Sequence, residues 1–264
     1  MVVRRPRTSA ADILFHPAWF IAYLARMRTL STPAGTVVIL PRDEAFAELV
    51  RRLESHAARG PCTVGLSGGS TPQAFYAWAA AGRRLSPTAL ERTEWHVSDE
   101  RCVPLASDDS NFGHAVRGLL DPLGVPASRR RPWPVELPPE AAAARYAAER
   151  PAGAGFDLCV LGLGDDSHIA SLWPGCPLIG KADGPLFAAT EWPGRGWRLT
   201  ITAAGLARCG EIVVLVNGTA KAKALQAVCR GPEAVMSHPG QLLRALRAKV
   251  TWLADPEAAS ALAD

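Results

Sequence analysis

Five runs of this chain have the composition of β-strands: TVVILP at 36–41, CTVGL at 62–66, EWHVS at 94–98, FDLCVLGLG at 156–164 and EIVVLVNG at 211–218. Several are apolar without the alternation of a strand that faces water on one side. Helical patterns separate them, the first over 43–58 with Phe46, Leu49, Val50 and Leu53 on one face. A strand buried on both faces needs cover on both, and helices crossing over between parallel strands supply it. The expected fold is therefore α/β: a doubly wound, mainly parallel, Rossmann-like sheet with helices on both faces. In such sheets ligands bind beyond the carboxyl ends of the strands, so the loops after Leu66, Ser98, Leu161 and Val216 should converge on one cleft.

Composition narrows the function. At 264 residues, 48% hydrophobic and 20% charged, the chain suits a globular protein of one large domain or two small ones. Its net charge is +4, and apart from Arg129, Arg130 and Arg131 its arginines are scattered, which argues against nucleic acid as a partner and leaves room for a small anion. The six cysteines form no CxxC pair, and Cys62 and Cys159 lie inside strand-like runs. A reduced, cytoplasmic protein without a metal site is expected. No stretch has the roughly 20 apolar residues that would cross a bilayer, so no membrane partner is expected. Residues 1–31 are rich in arginine and poor in acid, as a transit peptide is, but are read as an N-terminal extension before an α/β domain at 32–264. The oligomeric expectation is a monomer or weak dimer.

The four loops hold the reactive residue types. SGGSTP at 67–72 follows a strand and opens a helix, with Ser70 or Thr71 as its cap and Pro72 near its first position. Backbone N–H groups of Ser67, Gly68, Gly69, Ser70 and Thr71 at such a helix end could hold a phosphate, although an ordinary tight turn reads the same way. The loop is neither a Walker A sequence nor GxGxxG, so no nucleotide is expected. SDERCVP at 98–104 sets Arg101 beside Asp99 and Glu100, to pair with a carboxylate or to grip an anion. Lys221, after Gly218 and about one turn into a helix, could reach the same anion. GLGDDSHIASLWPG at 162–175 offers His168 as a base with Asp166 to orient it, followed by a short helix over IASLWPG. A helix-capping histidine is the plainer alternative, and a metal site lacks further ligands at usable spacing.

Taken together, LSGGSTP (66–72), WHVSDERCVP (95–104) with Ser110 and Asn111, GLGDDSHIASLWPG (162–175), RLTIT (198–202) and NGTAKAKAL (217–225) resemble the 6-phosphogluconolactonase family, within the group that includes the glucosamine-6-phosphate deaminases. The similarity runs in order from about residue 36 to the end. DER followed by Val-Pro, and SLWP after the histidine, look like the lactonase branch. The resemblance implies hydrolysis of 6-phosphogluconolactone to 6-phosphogluconate without metal or organic cofactor, with a sugar-phosphate lactone as the small-molecule partner. His168 would then activate water, Asp166 would orient it, and residues 67–71 with Arg101 and Lys221 would hold the phosphate. A deaminase-like enzyme and a non-catalytic sugar-phosphate-binding regulator are the alternatives. One departure stands out: Ser167 occupies a position where the family usually has glycine, so a backbone with positive φ would be costlier here.

Overall fold

The computed structural model describes residues 27–181 and 183–262. Residues 1–26, most of the stretch read as an extension, lie outside the described residues. Among the described residues the strands are β1 (Arg28–Thr32), β2 (Gly35–Ile39), β3 (Cys62–Leu66), β4 (Thr93–Val97), β5 (Asp99–Arg101), β6 (Leu158–Gly162), β7 (Phe187–Trp192), β8 (Gly196–Ile201), β9 (Glu211–Val216) and β10 (Val250–Ala254). The α-helices are α1 (Arg42–Arg59), α2 (Ser70–Ala81), α3 (Pro87–Arg92), α4 (Asn111–Ala115), α5 (Asp121–Leu123), α6 (Pro139–Ala148), α7 (Ala203–Ala207) and α8 (Ala222–Cys229).

Seven strands form the main sheet in the order β1-β2-β10-β9-β6-β3-β4. Every pairing from β2 to β4 is parallel; only β1 runs antiparallel, along β2. The winding steps outward from β3 to β4, then returns through β6, β9 and β10 on the other side of β3. Since crossovers between parallel strands are right-handed, reversing the direction puts the connecting helices on opposite faces. All five strand runs read from the sequence are strands of this sheet. The core confirms double cover: Val64, Leu66, Leu161, Val214, Leu253 and the Trp95 and Trp252 side chains are essentially inaccessible.

Three features differ from the sequence reading. Arg28 to Ser31, assigned to the extension, belong to edge strand β1, in register from Arg28 opposite Ile39 to Thr32 opposite Gly35. The strand β10 is unannounced, because it follows a run of 3₁₀ turns at Pro239–Lys249 instead of a regular amphipathic helix. A second, antiparallel sheet, β5-β8-β7, stands apart from the main one. Its β5 has only three residues, too few to show a period.

Candidate active site

The reversal of winding falls between β3 and β6, and the crevice beyond the carboxyl ends of those two strands is where a ligand should sit. A cavity of about 270 Å³ opens there, the scale of one small ligand. Ser67, Gly68, Gly69, Ser70, Thr71, Arg101, His168 and Lys221 all line it, so the four loops do converge. Asp166 reaches it through His168.

After β3 the chain turns at Gly69, whose φ of 94° makes it the N-cap of α2. This corrects the expected cap: Ser70 and Thr71 lie inside the first turn, and no side chain bonds to the helix end. The first-turn N–H groups, which have no partner within a helix, are thereby left for a ligand, and the helix dipole favours an anion. Gly68 is required for space, because a β-carbon there would overlap the amide of Asn111. Asn111 donates from Nδ2 to the Asp99 carbonyl at 2.9 Å, while its buried Oδ1 has no partner. The Ser67 carbonyl is fixed by the Tyr76 hydroxyl at 2.6 Å.

The acidic pair after β4 divides its tasks. Glu100 is fully buried and accepts from the backbone N–H groups of Arg101, Asn111 and Phe112 and from the Ser110 hydroxyl, at 2.7 to 2.9 Å. Burial pushes its pKa up, and those four donors oppose the shift. It ties β5 to the start of α4. Asp99 lines the cavity and accepts from the Ser171 hydroxyl at 2.8 Å. Arg101 does not pair with either carboxylate; its guanidinium bonds the Asp109 carbonyl and faces the cavity.

Beyond β6 the chain makes a tight loop in which Gly164 N–H donates to the His168 carbonyl at 2.9 Å and Ser167 N–H donates to the Gly164 carbonyl at 3.0 Å. This folds the dyad back over Gly164, where a β-carbon would overlap both the His168 ring and the Asp166 carboxylate. Asp166 Oδ1 meets His168 Nδ1 at 2.6 Å and the His168 N–H at 3.1 Å. The hydrogen bond to His168 holds the Asp166 pKa down, to about 2. An ionised partner on Nδ1 leaves Nε2 as the ring position free to exchange a proton. His168 is 29% exposed, and Trp192 stands edge-on to its ring at 5.2 Å.

The helix expected over IASLWPG does not form. Ala170 is left-handed at φ 46°, Ile169 and Leu172 make an isolated bridge, and Ser171 is drawn to its neighbours, its N–H to Thr200 Oγ1 at 3.2 Å and its hydroxyl to Asp99. Lys221 closes a 3₁₀ turn, Thr219–Lys221, just before α8, and pairs with Asp165. Its loop hangs on Asp255, whose carboxylate accepts from Gly218 N–H at 2.9 and 3.0 Å and from Asn217 Nδ2 at 3.2 Å.

Sequence reasoning quoted RLTIT but gave no role to the wall that the second sheet builds. Trp192 ends β7, Arg195 lies in the turn, and Arg198 follows in β8; all three line the cavity. Trp192 stacks on Trp173 at 4.9 Å and carries Arg195 at 4.8 Å from its ring. The signal was present in FAATEW-PGR-GWRLTI, two strand-like runs around a three-residue turn with glycine at positive φ. Among the described residues no group of three or more His, Cys, Asp or Glu could hold a metal ion, and the six cysteines are free.

The family model for glucosamine-6-phosphate isomerases/6-phosphogluconolactonase matches residues 42–252. A 6-phosphogluconolactonase of Rhizobium meliloti is 35% identical over 231 residues, covering 84% of this chain and 95% of that protein. The GDH/6PGL endoplasmic bifunctional protein of Oryctolagus cuniculus is 32% identical over 82% of this chain, which spans only 29% of that longer protein. The solved 6-phosphogluconolactonase of Trypanosoma brucei superposes with a TM-score of 0.73 at 25% identity, over 87% of this chain and 99% of that one. On this evidence the chain belongs to the glucosamine-6-phosphate isomerase/6-phosphogluconolactonase family.

Proposed function

We propose that the protein hydrolyses 6-phospho-D-glucono-1,5-lactone to 6-phospho-D-gluconate, a step of the oxidative pentose phosphate pathway. The observation that carries this reading is the meeting, in one cavity, of a carboxylate-held histidine with Arg101, Arg198, Lys221 and an uncapped helix end. One side can move a proton; the other can hold a phosphate.

In this reading His168 Nε2 takes a proton from water, and the water oxygen attacks the lactone carbonyl. Asp166 keeps the ring in one tautomer and stabilises the imidazolium. Backbone N–H donors along the cavity stabilise the tetrahedral oxyanion, each contributing about 3 kcal/mol in well-studied sites. Collapse breaks the bond between the carbonyl carbon and the ring oxygen, and the imidazolium returns its proton to that oxygen. The 67–71 loop, Arg101, Lys221 and Arg198 bind the phosphate, and that binding energy positions the carbonyl over His168. Water, one base and fixed donors suffice for these steps, so no cofactor is invoked.

The same reading covers the rest of the chain's expected properties: a catalytic domain extending to the end of the chain, acting in the cytoplasm as a monomer or weak dimer. Six free thiols support a reducing compartment. No helix of the described residues is long and apolar enough to cross a membrane. The test is the initial rate on lactone generated in situ, with the enzyme-free opening subtracted. A rate well above blank is expected. Ammonia release from glucosamine 6-phosphate in its place would favour the deaminase reading, and a folded protein at the blank rate would favour a binding module.

A further inference from the structure

Ser167, between the two members of the dyad, holds a left-handed backbone with φ 69°. Glycine reaches that region freely, whereas a β-carbon disfavours it, so something outside the residue must keep it there. Its surroundings supply three restraints. The Ser167 hydroxyl bonds His238 Nδ1 at 3.1 Å, its carbonyl accepts from Gly240 N–H at 2.9 Å, and its own N–H closes the turn onto Gly164. Two of the three come from one segment, 238–240. Ser167 is 1% exposed, so its hydroxyl has little access to water in place of the histidine.

That segment is itself firmly held. The Gln241 side chain accepts from Ala234 N–H at 2.7 Å and donates to the Ala227 and Pro232 carbonyls at 2.9 and 2.8 Å. Met236 adds a second tie to the same loop, its carbonyl accepting from Gly175 N–H at 2.8 Å. His238 does not line the cavity, so any effect it has on turnover must pass through Ser167.

We infer that His238 is a positioning residue: by binding the Ser167 hydroxyl it holds the non-glycine turn that seats His168 on Asp166. The inference rests on the assignment of His168 as the base. A serine at this turn and a histidine at 238 then work as one unit, replacing the conformational freedom a glycine would have supplied.

The test is a cycle of His238→Ala and Ser167→Gly, singly and together, read as kcat, KM and the imidazole nitrogen shifts of His168 in long-range ¹H–¹⁵N spectra. His238→Ala should lower kcat roughly tenfold, the rate equivalent of losing support for one left-handed non-glycine residue, with KM within about twofold. It should also move His168 from one predominant tautomer toward an average. In the Ser167→Gly background the same change should cost less than about twofold, and His238→Asn, which can present a polar atom near the place of Nδ1, should recover most of the rate. Equal losses in both backgrounds would overturn the inference, as would a lower thermal midpoint with unchanged His168 spectra. A wild-type protein at the blank rate would sink the proposed reaction instead, and the imidazole spectra would still decide the positioning role.

Discussion

Arg101 on β5 and Arg198 on β8 stand directly opposite each other in antiparallel register, and both line the cavity. Like charges in that position repel, and burial, with the neighbouring Arg101 cation as the next cause, lowers the Arg198 pKa. An anion between them would relieve the repulsion. Removing one arginine should therefore weaken the phosphate grip: Arg198→Ala is expected to raise KM about tenfold or more, with a smaller change in kcat. Inorganic phosphate should raise the thermal midpoint of the wild-type protein and do so less in the variant. An unchanged KM and equal protection would remove Arg198 from the binding site.

The dyad predicts a different signature. His168→Ala should lower kcat by at least about 100-fold while the protein still binds inorganic phosphate, because the proposed base and the proposed anion-binding groups come from different loops. Turnover of the alanine variant close to that of wild type would show that another group takes the proton.

Asp166 should leave no ionisation of its own on the acid side of the pH profile. With its pKa held to about 2 by His168, Asp166 stays ionised through the working range, so it should contribute no proton to the acid limb of kcat/KM. Its effect on stability has a definite sign: a folded-state pKa below the unfolded value of about 3.9 stabilises the fold above that pH and is lost as pH falls toward 2. Chemical denaturation of the wild type and Asp166→Asn at pH 7 and near pH 2.5 checks this. The difference between them should shrink at the lower pH, and a difference that grows would contradict it.

Asp165 predicts an effect in the opposite direction. Its carboxylate, 72% exposed, pairs with Lys221 and so competes with an incoming phosphate for that cation. Asp165→Asn should lower KM, by about two- to threefold for an exposed pair of this kind. A higher KM would mean that the aspartate orients the lysine instead of occupying it.

Legibility in the sequence followed the length of the signal. Runs such as CTVGL and EIVVLVNG carried the sheet because burial on both faces leaves a continuous apolar mark, and glycine-bearing loops after them marked the cleft. Strand order left no such mark, so the switch between β3 and β6 could not be read. The cap at Gly69 was misplaced because Ser70 and Thr71 are good caps by type, and only the geometry reveals that no side chain fills the role. IASLWPG looked helical because its neighbours in space, Asp99 and Thr200, are far away in the chain. Arg198, quoted within RLTIT, was given no role for the same reason: its meaning lies in facing Arg101 across a sheet whose β5 is only three residues long. Asp255, which steadies the loop leading to Lys221, sits after a strand the pattern did not announce.

The winding reversal between β3 and β6 also means that the cavity is assembled from two stretches of the chain. Strands β3 to β5 deliver the helix end and Arg101, while the return path through β6 delivers the dyad and then, after β9, Lys221. The groups proposed to hold the anion thus come from both stretches of sequence, and they meet the dyad only when the sheet is complete. An isolated early fragment would lack the dyad and Lys221, and a late one the helix end and Arg101, so a complete cavity should appear late in folding, as the last strands close the sheet.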